Sequence, residues 1–281
     1  MSFQFGAFAD ESHDSLNGQI DALLRNNYRY LEIRGLDGKS FTDLTIAEAK
    51  EVMKQLKDNN IGIISLGSPI GKIQMGDDFA RHLELYKHTL ELASVFGAKY
   101  IRLFSFFMPK DKDPAVYKDT VIERMEIFTD LAKKQGVVAC HENEKGIYGE
   151  KATQCLEIHQ AVPDLRAVFD PANFVQSGQD TMEAWNMLHP YVEYMHIKDA
   201  RADGQVVAAG EGIGNVPQLV RNYVAQGGSL FTLEPHLFEF IGLSNLEQEG
   251  NESIVGNMAF ATSADAFDYA ANCFKKIVEE L

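Results

Sequence analysis

Eight short β-forming runs, each followed by a stretch with helical spacing, constrain this chain more than any other feature. The runs are FQFGAFA (3–9), YLEIRG (30–35), IGIISLG (61–67), YIRLFSF (100–106), VVACHE (137–142), RAVFDP (166–171), VEYMHIK (192–198) and LFTLEP (230–235). Continuous apolar runs of about 4–8 residues bounded by turn residues read as buried strands. Between them apolar residues recur every third or fourth position, most clearly in DDFARHLELYKHTLELASVFG (77–97), the signature of amphipathic helices. The next segment starts at Asp113-Pro114 and stops at Gly136, a suitable helix start and C-cap.

Strands alternating with helices imply parallel pairing and right-handed crossovers. With 281 residues the chain matches a (β/α)8 TIM barrel, typically about 250 residues. The competing doubly wound sheet lacks its mark, since no G-x-G-x-x-G follows the first strand and GEGIGN (210–215) does not open such a unit. No Pro/Gly/Ser-rich linker interrupts the series, so residues 1–281 read as one α/β domain. A long segment at about 236–262 breaks the rhythm after the eighth strand. In a barrel it lies over the active-site face, and loops this long tend to be functional.

Composition narrows the function. Twenty-six basic against forty-one acidic residues leave a net charge of −15, the wrong sign for a partner that binds phosphate backbones. The three cysteines, Cys140, Cys155 and Cys273, form no CxxC pair, which argues for a reducing compartment and against a structural zinc site. No apolar run reaches the about 18 residues that a membrane span needs. The N-terminus lacks the basic and apolar regions of a signal peptide. A cytoplasmic protein with neither nucleic-acid nor membrane partners is expected.

A barrel draws its catalytic residues from the C-terminal ends of several strands. The fifth to eighth runs end in Glu142, Asp170, His196 and Glu234. Buried carboxylates are costly unless paired or bound to a cation. Three of them with one imidazole form a hard donor set suited to one divalent ion, Mn²⁺ first, with Mg²⁺, Co²⁺ or Zn²⁺ as alternatives.

These residues resemble the xylose isomerase-like TIM barrels of sugar and sugar-phosphate isomerases and epimerases, including the ketose 3-epimerases. The likeness is sharpest in HENE (141–144), FDPAN (169–173), HIKDAR (196–201), GEGIG (210–214) and LEPH (233–236). It implies a metal held by Glu142, Asp170, His196 and Glu234, with Glu142 and Glu234 as the acid/base pair. The reaction implied is proton transfer through a metal-stabilised enediolate, on a sugar, sugar phosphate or keto-polyol. Asn173 and Arg201 fall near substrate-binding positions of the family, and dimers or tetramers are common among its members.

Other residues are candidates by position. Glu32 and Arg34 share a strand face, as substrate contacts or as an ion pair. Arg102 reaches for a substrate oxygen or a strand-end carboxylate, and His236 shares Glu234's parity as a substrate contact. Lys198 and Asp199 are candidate partners of the metal ligands, and Lys198 of the substrate. Asp10 and Glu11 end the first strand, and could instead cap the first helix. His141 has the opposite parity to Glu142 and should turn away from the metal. The remaining histidines read as helix residues, Trp185 as helix–barrel packing and Cys140 as barrel lining.

Three alternatives stand beside the isomerase. A dehydratase of the inosose dehydratase type would use the same metal and bases. An endonuclease IV-like nuclease would need further histidines, and a non-enzymatic binding barrel would be expected to have lost a ligand.

Overall fold

The computed structural model of the chain describes residues 3–241, 255 and 260–281. All eight predicted runs form strands: β1 (Gln4–Ala7), β2 (Tyr30–Ile33), β3 (Gly62–Leu66), β4 (Tyr100–Leu103), β5 (Val138–Glu142), β6 (Arg166–Phe169), β7 (Val192–Ile197) and β8 (Leu230–Leu233). Each lies parallel beside its chain-order neighbours, and β1 pairs with β8 from Gln4↔Leu230 to Ala7↔Leu233 to close the barrel. Closure leaves no exposed edge, and the single-domain (β/α)8 barrel follows.

The outer layer among the described residues comprises α1 (Leu16–Arg25), α2 (Ile46–Asp58), α3 (Phe79–Phe96), α4 (Lys118–Lys134), α5 (Ala152–Ala161), α6 (Pro171–Gln176), α7 (Thr181–Leu188), α8 (Val216–Ala225) and α9 (Ser263–Glu279). Local chemistry starts them. Ser15 accepts from the Gly18 amide at α1, and Thr45 with Glu48 forms a capping box at α2. Asp10 and Glu11 therefore do not cap the first helix; Ser15 already does. Asp113-Pro114 starts a 3-10 turn, Pro114–Tyr117, that runs on into α4. Trp185 packs edge-on against Phe169 of β6 and Tyr223 of α8, the helix–barrel contact expected of it.

Three small elements escaped the sequence pattern. Helix α6 follows β6 directly, and two hairpins pair Gly35–Leu36 with Lys39–Ser40 and Asp199–Ala200 with Val206–Val207. Two-residue strands and a six-residue helix are too short to establish a period. The long segment at 236–262 lies largely outside the described residues.

Strand parity builds the barrel interior in layers. At the bottom, Ile64, Tyr100, Cys140, Val168, Tyr194 and Leu230 form a closed apolar cluster. Moving two residues along each strand changes the chemistry: Cys140 leads to Glu142, Val168 to Asp170, Tyr194 to His196, and Tyr100 to Arg102. The same parity sends Ala139, Ala167, Met195 and Phe231 outward into the helix–barrel core. The apolar plug keeps water out from below, so the polar layer above it is accessible only through the mouth.

The loop after β3 crosses the end of β4 at Gly71. Its φ of +91° and a Cβ that would sit 1.9 Å from the Phe104 carbonyl oxygen leave no room for a side chain. Gly71→Ala is expected to lower stability by roughly 2–4 kcal/mol in urea unfolding. Gly76→Ala, where a Cβ meets nothing within 4 Å, should change it by less than about 0.5 kcal/mol.

Candidate metal centre

Glu142, Asp170, His196 and Glu234 meet at the barrel mouth because β5, β6, β7 and β8 are consecutive and all four side chains share the inward parity. Each is at most 3% exposed. One ligand atom from each lies within 4.8 Å of every other. His196 Nδ1 sits 2.9 Å from Glu142 Oε1 and 3.3 Å from Glu234 Oε2. A divalent ion at about 2.1–2.2 Å from its donors separates opposite donors by about 4.4 Å, so this spacing fits a single cation.

Two buried oxygens sharpen the fit. Glu142 Oε2 and Asp170 Oδ2 have no hydrogen-bond partner. They lie at ion-pair distance from Arg102 Nη1 (3.2 Å) and Lys198 Nζ (3.0 Å), without hydrogen-bond alignment, so lone pairs remain for a cation. Three carboxylates and one imidazole are donors that a divalent cation takes.

Beneath the ligands, Glu32 orients the histidine. Its Oε2 lies 3.2 Å from His196 Nε2, and its Oε1 accepts from the Tyr194 hydroxyl at 2.9 Å. The Nε2–H directed to Glu32 leaves Nδ1 for the metal, the carboxylate–histidine–metal arrangement that fixes a tautomer. Phe8 packs edge-on against the imidazole, ring centroids 5.2 Å apart.

Fixed cations surround the carboxylates. Lys198 lies 3.0 Å from Asp170 and 3.1 Å from Glu234, and Arg102 lies 3.2 Å from Glu142 and 3.8 Å from Glu234. Arg34 donates to Asp10, Glu11 and Glu234. Of the two options for Asp10 and Glu11, the cap is not the one taken: both accept from Arg34 at the end of β1.

Protonation follows from this packing. Burial raises Asp170 to about 7; Lys198 opposes the rise while Glu234 and Glu142 reinforce it. Burial works against charge on His196, but Glu142, Glu32 and Glu234 outweigh it and hold its pKa well above the usual imidazole range. Burial also opposes charge on Glu234, yet Lys198, His196 and His236 hold it well below the carboxylate range. A cation entering the cluster displaces protons from Asp170 and from His196 Nδ1.

The four polar residues of HENE have distinct tasks. Glu142 points inward, while His141 points outward to Ser105 at 3.0 Å. Burial, with His159 nearby, holds His141 well below the usual imidazole range. Asn143 donates to the Asp170 carbonyl and accepts from its amide, which pins the Asp170 backbone. Glu144 pairs with Lys72 at 2.9 Å.

The remaining candidates divide. Asn173 is buried and donates to Glu142 Oε1 at 3.4 Å and to the Asn143 carbonyl. His236 lies against Glu11 at 3.0 Å, one step from Glu234 through the Arg34 cluster. Arg201 is not brought to the cluster: it is exposed on the hairpin after β7 and donates to Gln205. The hairpin's two-residue strands are what carry it away. Glu32 lies below the histidine, not in the mouth, so its position is that of a metal-ligand partner and not of a substrate contact. Asp199 accepts amides from Ala200, Gly210, Gly212 and Gly214 and organises a loop instead of a ligand. Tyr194, Asn143, Phe8 and Phe240 were not singled out. Tyr194 and Phe8 follow the strand parity that located the ligands, but apolar and aromatic strand residues look alike whether they pack a core or a site.

A family model described as "Xylose isomerase-like TIM barrel" matches residues 20–247. A search of curated proteins returns no match. Among solved structures, IOLI protein with a binding zinc atom matches with TM-score 0.75 and 14% identity, covering 99% of this chain and 98% of its own. The probable 3-DHS dehydratase AsbF from Bacillus anthracis matches with TM-score 0.73 and 16% identity, covering 98% and 99%. A D-tagatose 3-epimerase-like protein matches with TM-score 0.72 and 14% identity, covering 99% of each chain. At these identities the likeness is one of fold.

Mn²⁺ affinity measured by calorimetry is expected to fall as pH drops through about 7, the value to which Asp170 is raised, because protons then compete for the site. Titrations in buffers of different ionisation heat should show net proton release. Glu32→Gln should weaken Mn²⁺ binding by about 10–100-fold; unchanged affinity would show that the imidazole needs no carboxylate behind it.

Proposed function

The chain belongs to the family of xylose isomerase-like TIM barrels, and on that footing we propose that it is a divalent-metal-dependent isomerase or epimerase of a small carbohydrate. The supporting observation is the pair Glu142 and Glu234, which approach the same imidazole nitrogen from β5 and β8 at 2.9 Å and 3.3 Å. Two carboxylates on either side of one substrate carbon can take a proton from one face and return it to the other. The donor set favours Mn²⁺.

In this reading a cation held by Glu142, Asp170, His196 and Glu234 supplies polarisation of a substrate carbonyl. The protein's own residues do the rest. Arg102, 3.2 Å from Glu142 and 3.8 Å from Glu234, steadies whichever glutamate carries negative charge. Asn173 fixes Glu142 Oε1, and Arg34 together with Lys198 fixes the two oxygens of Glu234. The apolar plug below excludes water from the proton path.

Lys198 favours a second reading, a dehydratase. Its ammonium is buried between Asp170 and Glu234, where it can give a proton to a departing hydroxyl. An endonuclease is disfavoured by the charge of −15 and by Arg34, which already occupies the space beside Glu11, Glu234 and His236. A cytoplasmic location and a homodimer or tetramer complete the proposal. Among the described residues no helix is long and apolar enough to cross a membrane.

The test is hydrogen exchange at the carbon beside the carbonyl, followed by NMR in D₂O over a panel of ketoses with Mn²⁺ present. Glu142→Gln and Glu234→Gln are each expected to slow interconversion of the epimers by about 10²–10⁴-fold, with exchange kept at most from one epimer, and His196→Ala should lose the metal. Interconversion that survives either glutamine variant would sink the paired-carboxylate mechanism, and loss of water from the sugar without exchange-coupled isomerisation would install the dehydratase.

A further inference from the structure

Among the described residues, the buried cations Arg34, Arg102 and Lys198 and the glycine-rich loop after β7 are engaged by the protein's own carboxylates. In TIM barrels a phosphate commonly binds at the loops after the seventh and eighth strands. Here the loop after β7 carries GEGIG, and glycine-rich amides of this kind form anion-binding nests. The nest is filled from within. Asp199 accepts from the Gly210 and Gly212 amides through Oδ2, at 3.0 and 3.1 Å, and from Ala200 and Gly214 through Oδ1, at 2.8 Å each. A Cβ on Gly212 or Gly214 would lie 2.3 or 2.6 Å from Asp199 Oδ1, so the loop has closed on this carboxylate. Arg201, on the same hairpin, points away to Gln205.

The buried cations are engaged in the same way. Arg34 lines a cleft with Asp10, Asp14, Ser40, Thr42 and Phe240, and from there reaches Glu234 at the edge of the cluster, none of whose four residues lines the cleft itself. Of its five N–H donors, four go to Asp10, Glu11 and Glu234. Both faces of its guanidinium are covered, by Phe8 at 4.3 Å and Phe240 at 4.5 Å. Arg102 is held between Glu142, Glu234 and the Gly67 carbonyl, and Lys198 between Asp170 and Glu234. At the rim, Lys39 leans 3.5 Å from Glu48.

We infer that the substrate is an uncharged polyhydroxy carbonyl compound, and that phosphorylated and carboxylate-bearing sugars are excluded, because Asp199 fills the glycine nest and carboxylates neutralise the buried cations of the mouth. An arriving anion meets Asp10, Asp14 and Glu234, and the cations beside them, with a divalent ion in the cluster, are already committed to the buried carboxylates; like-charge juxtaposition of this kind is a means of rejection. A neutral polyol finds what it needs: hydroxyls of Ser40 and Thr42, carboxylates that accept O–H donors, and the Phe240 ring. The cleft holds about 220 Å³. A cavity of about 150 Å³ takes benzene, so this one accepts a single sugar ring with its substituents.

This inference rests on the isomerase reading, and the experiment separates the two. The Mn²⁺-loaded full chain is titrated calorimetrically with inorganic phosphate, and with ketoses and their phosphate esters in matched pairs. D₂O exchange is followed by NMR on the same pairs. The neutral ketoses are expected to exchange with kcat/KM at least about tenfold above their esters, and inorganic phosphate should give no saturable heat at millimolar concentration. An ester preferred by about tenfold, or saturable phosphate binding that competes with the ketose, overturns the inference while leaving the isomerase standing. If no sugar exchanges, the isomerase reading falls by itself. The phosphate titration then still decides the charge preference: no binding supports it, and saturable binding refutes it.

Discussion

Six carboxylates, Asp10, Glu11, Glu32, Glu142, Asp170 and Glu234, are buried together at the mouth of this barrel, and the structure is organised around making that tolerable. An unpaired buried charge costs far more than an ordinary interaction returns. Here every one of the six lies against Arg34, Arg102, Lys198 or His196, and each of those four is shared by two or three carboxylates. The pairing is deliberately incomplete at Glu142 Oε2 and Asp170 Oδ2, which keep free lone pairs. That is where a divalent ion has most to contribute.

The closed sheet makes the arrangement specific. Parallel pairing fixes the register of each strand against the next, so a one-residue slip would turn Glu142 outward and His141 inward. Register is held by the apolar plug below, where Ile64, Tyr100, Cys140, Val168, Tyr194 and Leu230 interlock. Stability and site geometry therefore share one cause: the plug that anchors the strands also sets which side chains reach the mouth. Aromatic rings extend this control upward. Phe8 touches His196, Arg34 and Arg102, so one side chain orders a ligand and two of the cations that balance the others.

The same charges bear on both proposals. Arg34, Arg102 and Lys198 lie against Glu234, and Asp199 accepts the amides of the glycine loop. On the proposed reading, these groups serve the proton-transfer pair and the loop, and hydroxyl and aromatic contacts orient the substrate.

The sequence by itself determined the barrel and the four side chains that gather at its mouth. Eight β-branched or aromatic runs at regular spacing admit few topologies, and a period of two along each run assigns Glu142, Asp170, His196 and Glu234 to one face. Both are local properties of the chain, which is why they were legible. Tertiary structure alone decided the partners. That Glu32 serves His196 and not Arg34, although the two are neighbours on one strand, depends on β2 and β7 facing each other across the barrel, 164 residues apart in sequence. That Arg34 gathers Asp10 and Glu11 from the end of β1, and that Arg201 leaves the site on a hairpin too short to predict, are likewise matters of where strands and loops end in space. Pairing energy depends on distance through space, and only closure of the barrel sets those distances.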